Sequence, residues 1–256
     1  MIRPRLLIAM ALAASSLPAA GLAQAPLPVP EGPAPAPHCL DAGNVQHVKQ
    51  AEAGSIAVRA GDGQAYRLDF AAACPGVPNG REIGLETPEG WACGRPGERL
   101  LVDGRACGIS AVDQIDNRAF ARIARESNRQ YPTTLPAVTV TGKANNDDRG
   151  RRLRGSPDFC FATRDVRGWN EDPKGIMVET NPRRNGGNRF YRIEVAGSCS
   201  KFAGVKRVEF VSGLQNGLVC GNPGDRMVGV AFSPGVMMDT RIPGSQCTVV
   251  EVYPSN

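Results

Sequence analysis

Short runs with a hydrophobic period of two recur along the chain. Ile56-Ala57-Val58 and Tyr66-Arg67-Leu68-Asp69-Phe70 alternate in this way, and Gly61-Asp62-Gly63 between them has the composition of a hairpin turn. Further strands are predicted at residues 83–85 and 100–102 and around Cys107. The same order returns later, at Ile176-Met177-Val178, residues 191–195, 208–211 and 227–232, and around Cys247, with the first hairpin tip enlarged to residues 181–189. A helical period occurs over residues 113–129, where Ile115, Ala119, Phe120 and Ile123 share one face. Arg118, Arg122, Arg125 and Arg129 fall largely outside that stripe, and Pro132 bounds the segment. Its apolar face requires a partner, most simply one of the β units.

The recurrence extends to residue identities. Cys39, Cys74, Cys93 and Cys107 correspond in order to Cys160, Cys199, Cys220 and Cys247. Tyr66-Arg67-Leu68-Asp69 lies eight residues before Cys74, and Tyr191-Arg192-Ile193-Glu194 eight before Cys199. Cys93-Gly94-Arg95-Pro96-Gly97-Glu98-Arg99 matches Cys220-Gly221-Asn222-Pro223-Gly224-Asp225-Arg226, with changes only at Arg95/Asn222 and Glu98/Asp225. Three such matches in one order indicate a tandem duplication.

Composition narrows the class. Gly (30) and Pro (21) make up about one residue in five of 256, which favours short strands and turns over helical bundles. Arg3 and Arg5 precede an apolar run at residues 6–17, too short for a mature membrane anchor, so residues 1–23 read as a signal peptide cleaved after Ala23. Residues 24–38 then form a Pro/Ala-rich linker, 39–112 the first β domain, 113–159 the helix with a charged, flexible linker, and 160–256 the second β domain. The expected location is periplasmic or secreted. An even number of Cys, eight, in an exported chain reads as a disulfide framework. Bridges are expected within each copy, three connectivities being open per copy. Cys93 with Cys107 and Cys220 with Cys247 are slightly favoured as the nearer later partners.

The ordered Cys, the Tyr-Arg element, the Cys-Gly turn and the final Cys strand resemble a family of small exported bacterial domains of unknown function. The resemblance spans both copies, roughly residues 39–112 and 160–252. It implies a β-rich periplasmic or secreted domain and no particular activity. The expected fold is therefore mainly β: two small antiparallel domains, barrel-like or meandering, each disulfide-bonded and joined by an amphipathic helix.

Candidate chemistry is sparse. The chain lacks a nucleophile-elbow, zincin or phosphate-loop motif, and His38 and His47 are its only histidines. No cofactor is expected. With neither a Cys-x-x-Cys pair nor His at ligand spacing, no metal is expected either. Arg67 with Asp69, and Arg192 with Glu194, lie on one face of their strands and read chiefly as solvent-facing charge pairs. Glu98-Arg99 and Asp225-Arg226 read as exposed strand starts after a Pro-Gly turn. Charge differs by region: net −3 over residues 39–113, +4 over 114–159 and +3 over 160–256. Arg149, Arg151, Arg152 and Arg154, with Arg183 and Arg184 of the enlarged loop, form a basic region suited to an anionic envelope polymer or an acidic protein. Stacking aromatics are missing around these arginines, which argues against nucleic acid. Residues 135–142 have the composition of a short strand able to pair with a sheet edge. The leading expectation is a non-enzymatic envelope or secreted binding module. The alternatives are a hydrolase whose carboxylate/Arg site assembles in space, and an enzyme inhibitor presenting residues 181–189.

Overall fold

The computed structural model describes residues 36–131, 155–197, 207–233 and 238–255, together with Phe202 and Val205. The predicted signal peptide, residues 135–142, Cys199 and Arg149, Arg151, Arg152 and Arg154 lie outside them. The first copy contains β1 (Leu40–Asp41), β2 (Val45–Glu52), β3 (Ser55–Ala60), β4 (Ala65–Phe70), β5 (Ile83–Glu86), β6 (Trp91–Ala92), β7 (Arg99–Val102) and β8 (Arg105–Ile115). Six of these pair antiparallel in the order β2-β3-β4-β8-β7-β5 as a half-barrel, and β1 pairs with β6. Alternation explains the core: Ile56, Val58, Leu68, Phe70, Leu100, Val102, Ile109 and Val112 all turn to one side and pack together. The register of β4 against β8 shifts between Asp69 and Phe70, leaving Ser110 as an extra residue. Such a bulge bends and twists the strand, helping the sheet to curl.

After the helix α1 (Asn117–Gln130), the second copy repeats this plan with β9 (Phe161–Ala162), β10 (Val166–Asp172), β11 (Gly175–Thr180), β12 (Phe190–Val195), β13 (Arg207–Val211), β14 (Leu218–Val219), β15 (Arg226–Ser233) and β16 (Met238–Ser255). The sheet order is β10-β11-β12-β16-β15-β13, element for element that of the first copy, and β14 pairs with β9. The bulge recurs at Val250, where the register of β12 against β16 shifts between Glu194 and Val195. Two similar β domains are thus present, as the duplication predicts. Their shared core positions include Tyr191, Ile193, Val178 and Val252, with Phe161 edge-on to Phe210 at 5.3 Å between ring centroids.

Among the described residues, the three bridges close within copies, but not between the partners favoured from spacing. Cys39 is joined to Cys93, Cys74 to Cys107 and Cys160 to Cys220. Strand pairing accounts for this choice. Leu40 lies opposite Ala92 in the β1–β6 pair, which brings the flanking Cys39 and Cys93 together, and Phe161 opposite Val219 does the same for Cys160 and Cys220. Cys247 is also disulfide-bonded.

The helix begins later than its periodicity suggested. Residues 113–115 belong to β8, where Asp113 and Ile115 pair with Arg67 and Ala65 of β4. Long-range strand pairing outweighs local helical spacing there. Asp116 then caps the helix by accepting from the Ala119 backbone N–H at 2.7 Å. The helix is covered by both copies rather than by one. Ala57 and Ala65, on the outer face of β3 and β4, are small enough to admit Phe120, Ala121 and Ala124, while Phe159, Cys160, Ala162, Leu218 and Cys220 join the same cluster from the other side. Ion pairs fasten the assembly: Arg118 Nε to Glu251 Oε2 at 2.7 Å, and Asp158 within 3.7 Å of Lys49 and 3.8 Å of Arg59. Arg59 also lies over the Phe120 ring, 4.1 Å from its centroid, and burial pushes its guanidinium pKa down.

Candidate functional site

The repeat-equivalent charged residues pair differently in the two copies. Arg67 Nε donates to Asp69 at 2.7 Å, and its Nη2 reaches Glu52 at 3.0 Å, all three being at least partly exposed. Arg192 instead donates from both terminal nitrogens to Asp172, at 2.5 and 2.9 Å, and is buried. Its sequence neighbour Glu194 accepts from the Tyr253 hydroxyl at 2.8 Å and faces Arg118 at 3.8 Å. The difference follows from cross-strand neighbours. Met177 and Tyr253 stand opposite Arg192 on the neighbouring strands where Ala57 and Asp113 stand opposite Arg67, and the buried guanidinium takes Asp172 as a bidentate partner. Arg192 hydrogen bonding holds the Asp172 carboxyl below its ordinary pKa. A lowered folded-state pKa stabilises the fold above the unfolded carboxylate pKa, and this is lost as pH falls through the folded value. Asp172→Asn should therefore lower the melting temperature at pH 7 and converge with the parent in strong acid, as a pH series of thermal unfolding curves would report.

Glu98 and Asp225 correct a second expectation, because both turn inward. Glu98 Oε2 accepts from the backbone N–H groups of Cys93 and Gly94 at 2.8 and 2.7 Å, and only the following Arg99 is exposed. Asp225 Oδ2 accepts from Cys220 and Asn222 at 2.8 and 2.9 Å, while Oδ1 accepts from Gly213 at 2.7 Å. A carboxylate buried in a turn lowers its energy by collecting N–H donors, and the Pro-Gly turn points the backbone of the preceding residues at it. Gly94 and Gly221 have φ near +80°, and a Cβ on Gly221 would lie 2.5 Å from the Val250 carbonyl oxygen. The shared Cys-Gly-x-Pro-Gly-acid-Arg string thus builds, in each copy, a turn closed around a buried carboxylate that accepts backbone N–H groups.

The enlarged loop builds a concavity that the first copy has no residues to make. Residues 181–189 fold around a 3-10 turn (Pro182–Arg184) instead of extending into solvent. Buried Asn185 donates from Nδ2 to the Asn181 carbonyl at 3.0 Å, and Asn188 Nδ2 and the Tyr191 hydroxyl both donate to the Pro157 carbonyl, at 3.0 and 2.9 Å. This ties the loop to the segment entering β9. The result is a cavity of about 320 Å³ bounded by Arg164, Arg183 and Arg184 with Asp165, over Pro157, Ala162, Leu218 and Cys160. Arg184 faces the buried Asp165 carboxylate at 3.4 Å. Arg164 also lines a second, more open groove of about 660 Å³ with Arg207, Arg241, Val208 and Phe210, where Arg241 pairs with Glu209. Arg164 therefore borders both concavities, and five arginines line them together with Asp165 and Glu209. By position in the duplicated plan, Gly43 stands for Arg164 and Glu82 for Arg207 in the first copy.

Of the nominated basic residues, the structure thus brings Arg183 and Arg184 together at the cavity. Arg164, Arg207 and Arg241 were not legible as partners, being scattered over 78 residues of sequence. His38 and His47 are exposed. Among the described residues, no group of three His, Cys, Asp or Glu is placed to hold a metal ion.

Residues 5–131 match a family of unknown function, DUF6491. The DUF6491 match covers the first copy and the helix and stops before the second copy, which repeats the same strand order. A family of unknown function is thus matched over the first copy, and the two similar β domains are consistent with the expected tandem duplication. No curated protein and no solved structure matches the chain.

Proposed function

We propose that the protein is an exported, non-enzymatic binding module of the cell envelope, in which the second copy holds an anionic polymer along its arginine track. The observation that carries this reading is the position of Arg164, which joins the cavity bearing Arg183 and Arg184 to the groove bearing Arg207 and Arg241. A polymer with regularly spaced negative charges meets such a track at several points, each weak alone. The disulfides are in keeping with an oxidising, extracytoplasmic compartment. No helix among the described residues is long and apolar enough to cross a membrane. The cavity presents one carboxylate, Asp165, where a hydrolase of the paired-carboxylate kind uses two.

Exposed arginines contribute roughly 0.5 kcal/mol each to such contacts, so three removed together cost about 1.5 kcal/mol, roughly tenfold in affinity. The variant carrying Arg164→Ser, Arg183→Ser and Arg184→Ser should accordingly bind linear polyphosphate, or anionic polymer extracted from envelopes, about tenfold more weakly at low salt. The difference should shrink as salt rises, and the melting temperature should fall modestly, because Arg184→Ser takes the ion-pair partner from the buried Asp165. Equal affinity of variant and parent across a salt titration would exclude the track.

A further inference from the structure

The cavity of the second copy is more than a continuation of the basic face. Its cationic rim, Arg164, Arg183 and Arg184, stands over apolar walls supplied by Pro157, Ala162, Leu218 and Cys160. Arg184 is engaged by Asp165, while Arg164 and Arg183 have no ion-pair partner among the described residues. At about 320 Å³ the space lies at the lower end of the range of roughly 300–1,000 Å³ typical of small-molecule sites. A polyanion needs only the charges; it has no use for an apolar recess beneath them.

We propose that this cavity binds a small amphiphilic anion: one phosphate or carboxylate group, held by Arg164 and Arg183, carried on an apolar body of a few carbons that rests against Ala162, Pro157 and Leu218. The inference rests on the reading that the second copy recognises anions and names the ligand chemistry of this cavity. Two backbone approaches pre-form the site. A Cβ on Gly186, whose φ is +62°, would lie 2.6 Å from Pro157 Cβ, and a Cβ on Gly155 would lie 2.7 Å from Cys160 Cβ. Only glycine lets the loop and the entering segment close to this distance, and the Asn188 and Tyr191 hydrogen bonds to Pro157 hold them there. Binding to a wall already in place costs less ordering entropy. The first copy provides an internal contrast: its corresponding hairpin tip is Gly61-Asp62-Gly63, with Gly43 in place of Arg164.

The test is a calorimetric titration of the full oxidised chain with hexyl phosphate, inorganic phosphate and hexanol. Saturable one-to-one binding of hexyl phosphate is expected, at least tenfold tighter than inorganic phosphate, with no heat from hexanol. The double variant Arg164→Ser, Arg183→Ser should lose at least tenfold in hexyl phosphate affinity at an unchanged melting temperature. Hexyl phosphate binding no tighter than inorganic phosphate would overturn the proposal, as would full affinity in the double variant. A soluble metabolite and an anionic lipid share this chemistry. Retention of the chain on phosphatidylcholine vesicles carrying phosphatidic acid would support the site with a lipid as ligand, and hexyl phosphate binding without retention would support it with a soluble one. Polymer binding is read separately by its salt dependence, so loss of either activity can be told from loss of the other.

Discussion

Asp225→Ala is expected to destabilise the protein by about 3–5 kcal/mol, the largest effect of a single substitution at the shared turn. The carboxylate is fully buried and accepts three backbone N–H groups, from Gly213, Cys220 and Asn222. Truncation leaves these donors without acceptors in a place where water has little access, and each stranded donor costs about 1–3 kcal/mol before relaxation. The damage also spreads, because Gly213 leads out of β13 and Cys220 carries the bridge to Cys160. Glu98→Ala, which strands only the N–H groups of Cys93 and Gly94, should cost less. Urea unfolding of the oxidised proteins measures both. A loss below about 1 kcal/mol for Asp225→Ala, or a larger loss for Glu98→Ala, would contradict the assignment of the turn as a buried folding element.

Removing the Cys160–Cys220 bridge by double substitution to Ser should cost about 4 kcal/mol. The two residues are 60 apart in sequence, and the entropy regained by an unfolded chain freed of a loop of that size is of this magnitude. The bridge also belongs to the cluster in which α1 meets the second copy, so its loss withdraws contacts from Leu218 and Phe159. The expected result is a marked fall in denaturant midpoint and easier proteolysis of the second copy, with the first copy more resistant. An unchanged midpoint would show that strand pairing alone holds β9 against β14.

Several features of this protein can be read from neighbouring residues alone. Tyr66-Arg67-Leu68-Asp69-Phe70 announces both a strand and its inward face, because a period of two is a local property of the backbone. The duplication is legible for a similar reason: the Cys-Gly-x-Pro-Gly string and the order of Cys repeat whatever fold they take. The direction of the Asp225 carboxylate is not legible, since a charge after a Pro-Gly turn resembles any exposed strand start until the surrounding N–H groups are in place. Nor is the double covering of α1. Ala57 and Ala65 look like unremarkable small residues in alternating strands, and only the packed helix shows that their outer face is interior.

Sequence by itself determined the strand-rich class, the two copies, the closure of bridges within each copy and the excess of arginine in the second half. Tertiary structure alone decided which Cys meet, because pairing of β1 with β6 and of β9 with β14 selects partners 54 and 60 residues apart over nearer ones. It also decided that Arg164 stands beside Arg183 and Arg184, through a loop tied to Pro157 by Asn188 and Tyr191. The physical reason is common to both. Periodicity and composition act between residues a few positions apart, whereas a bridge or a binding site depends on which distant segments the sheet order carries to the same place.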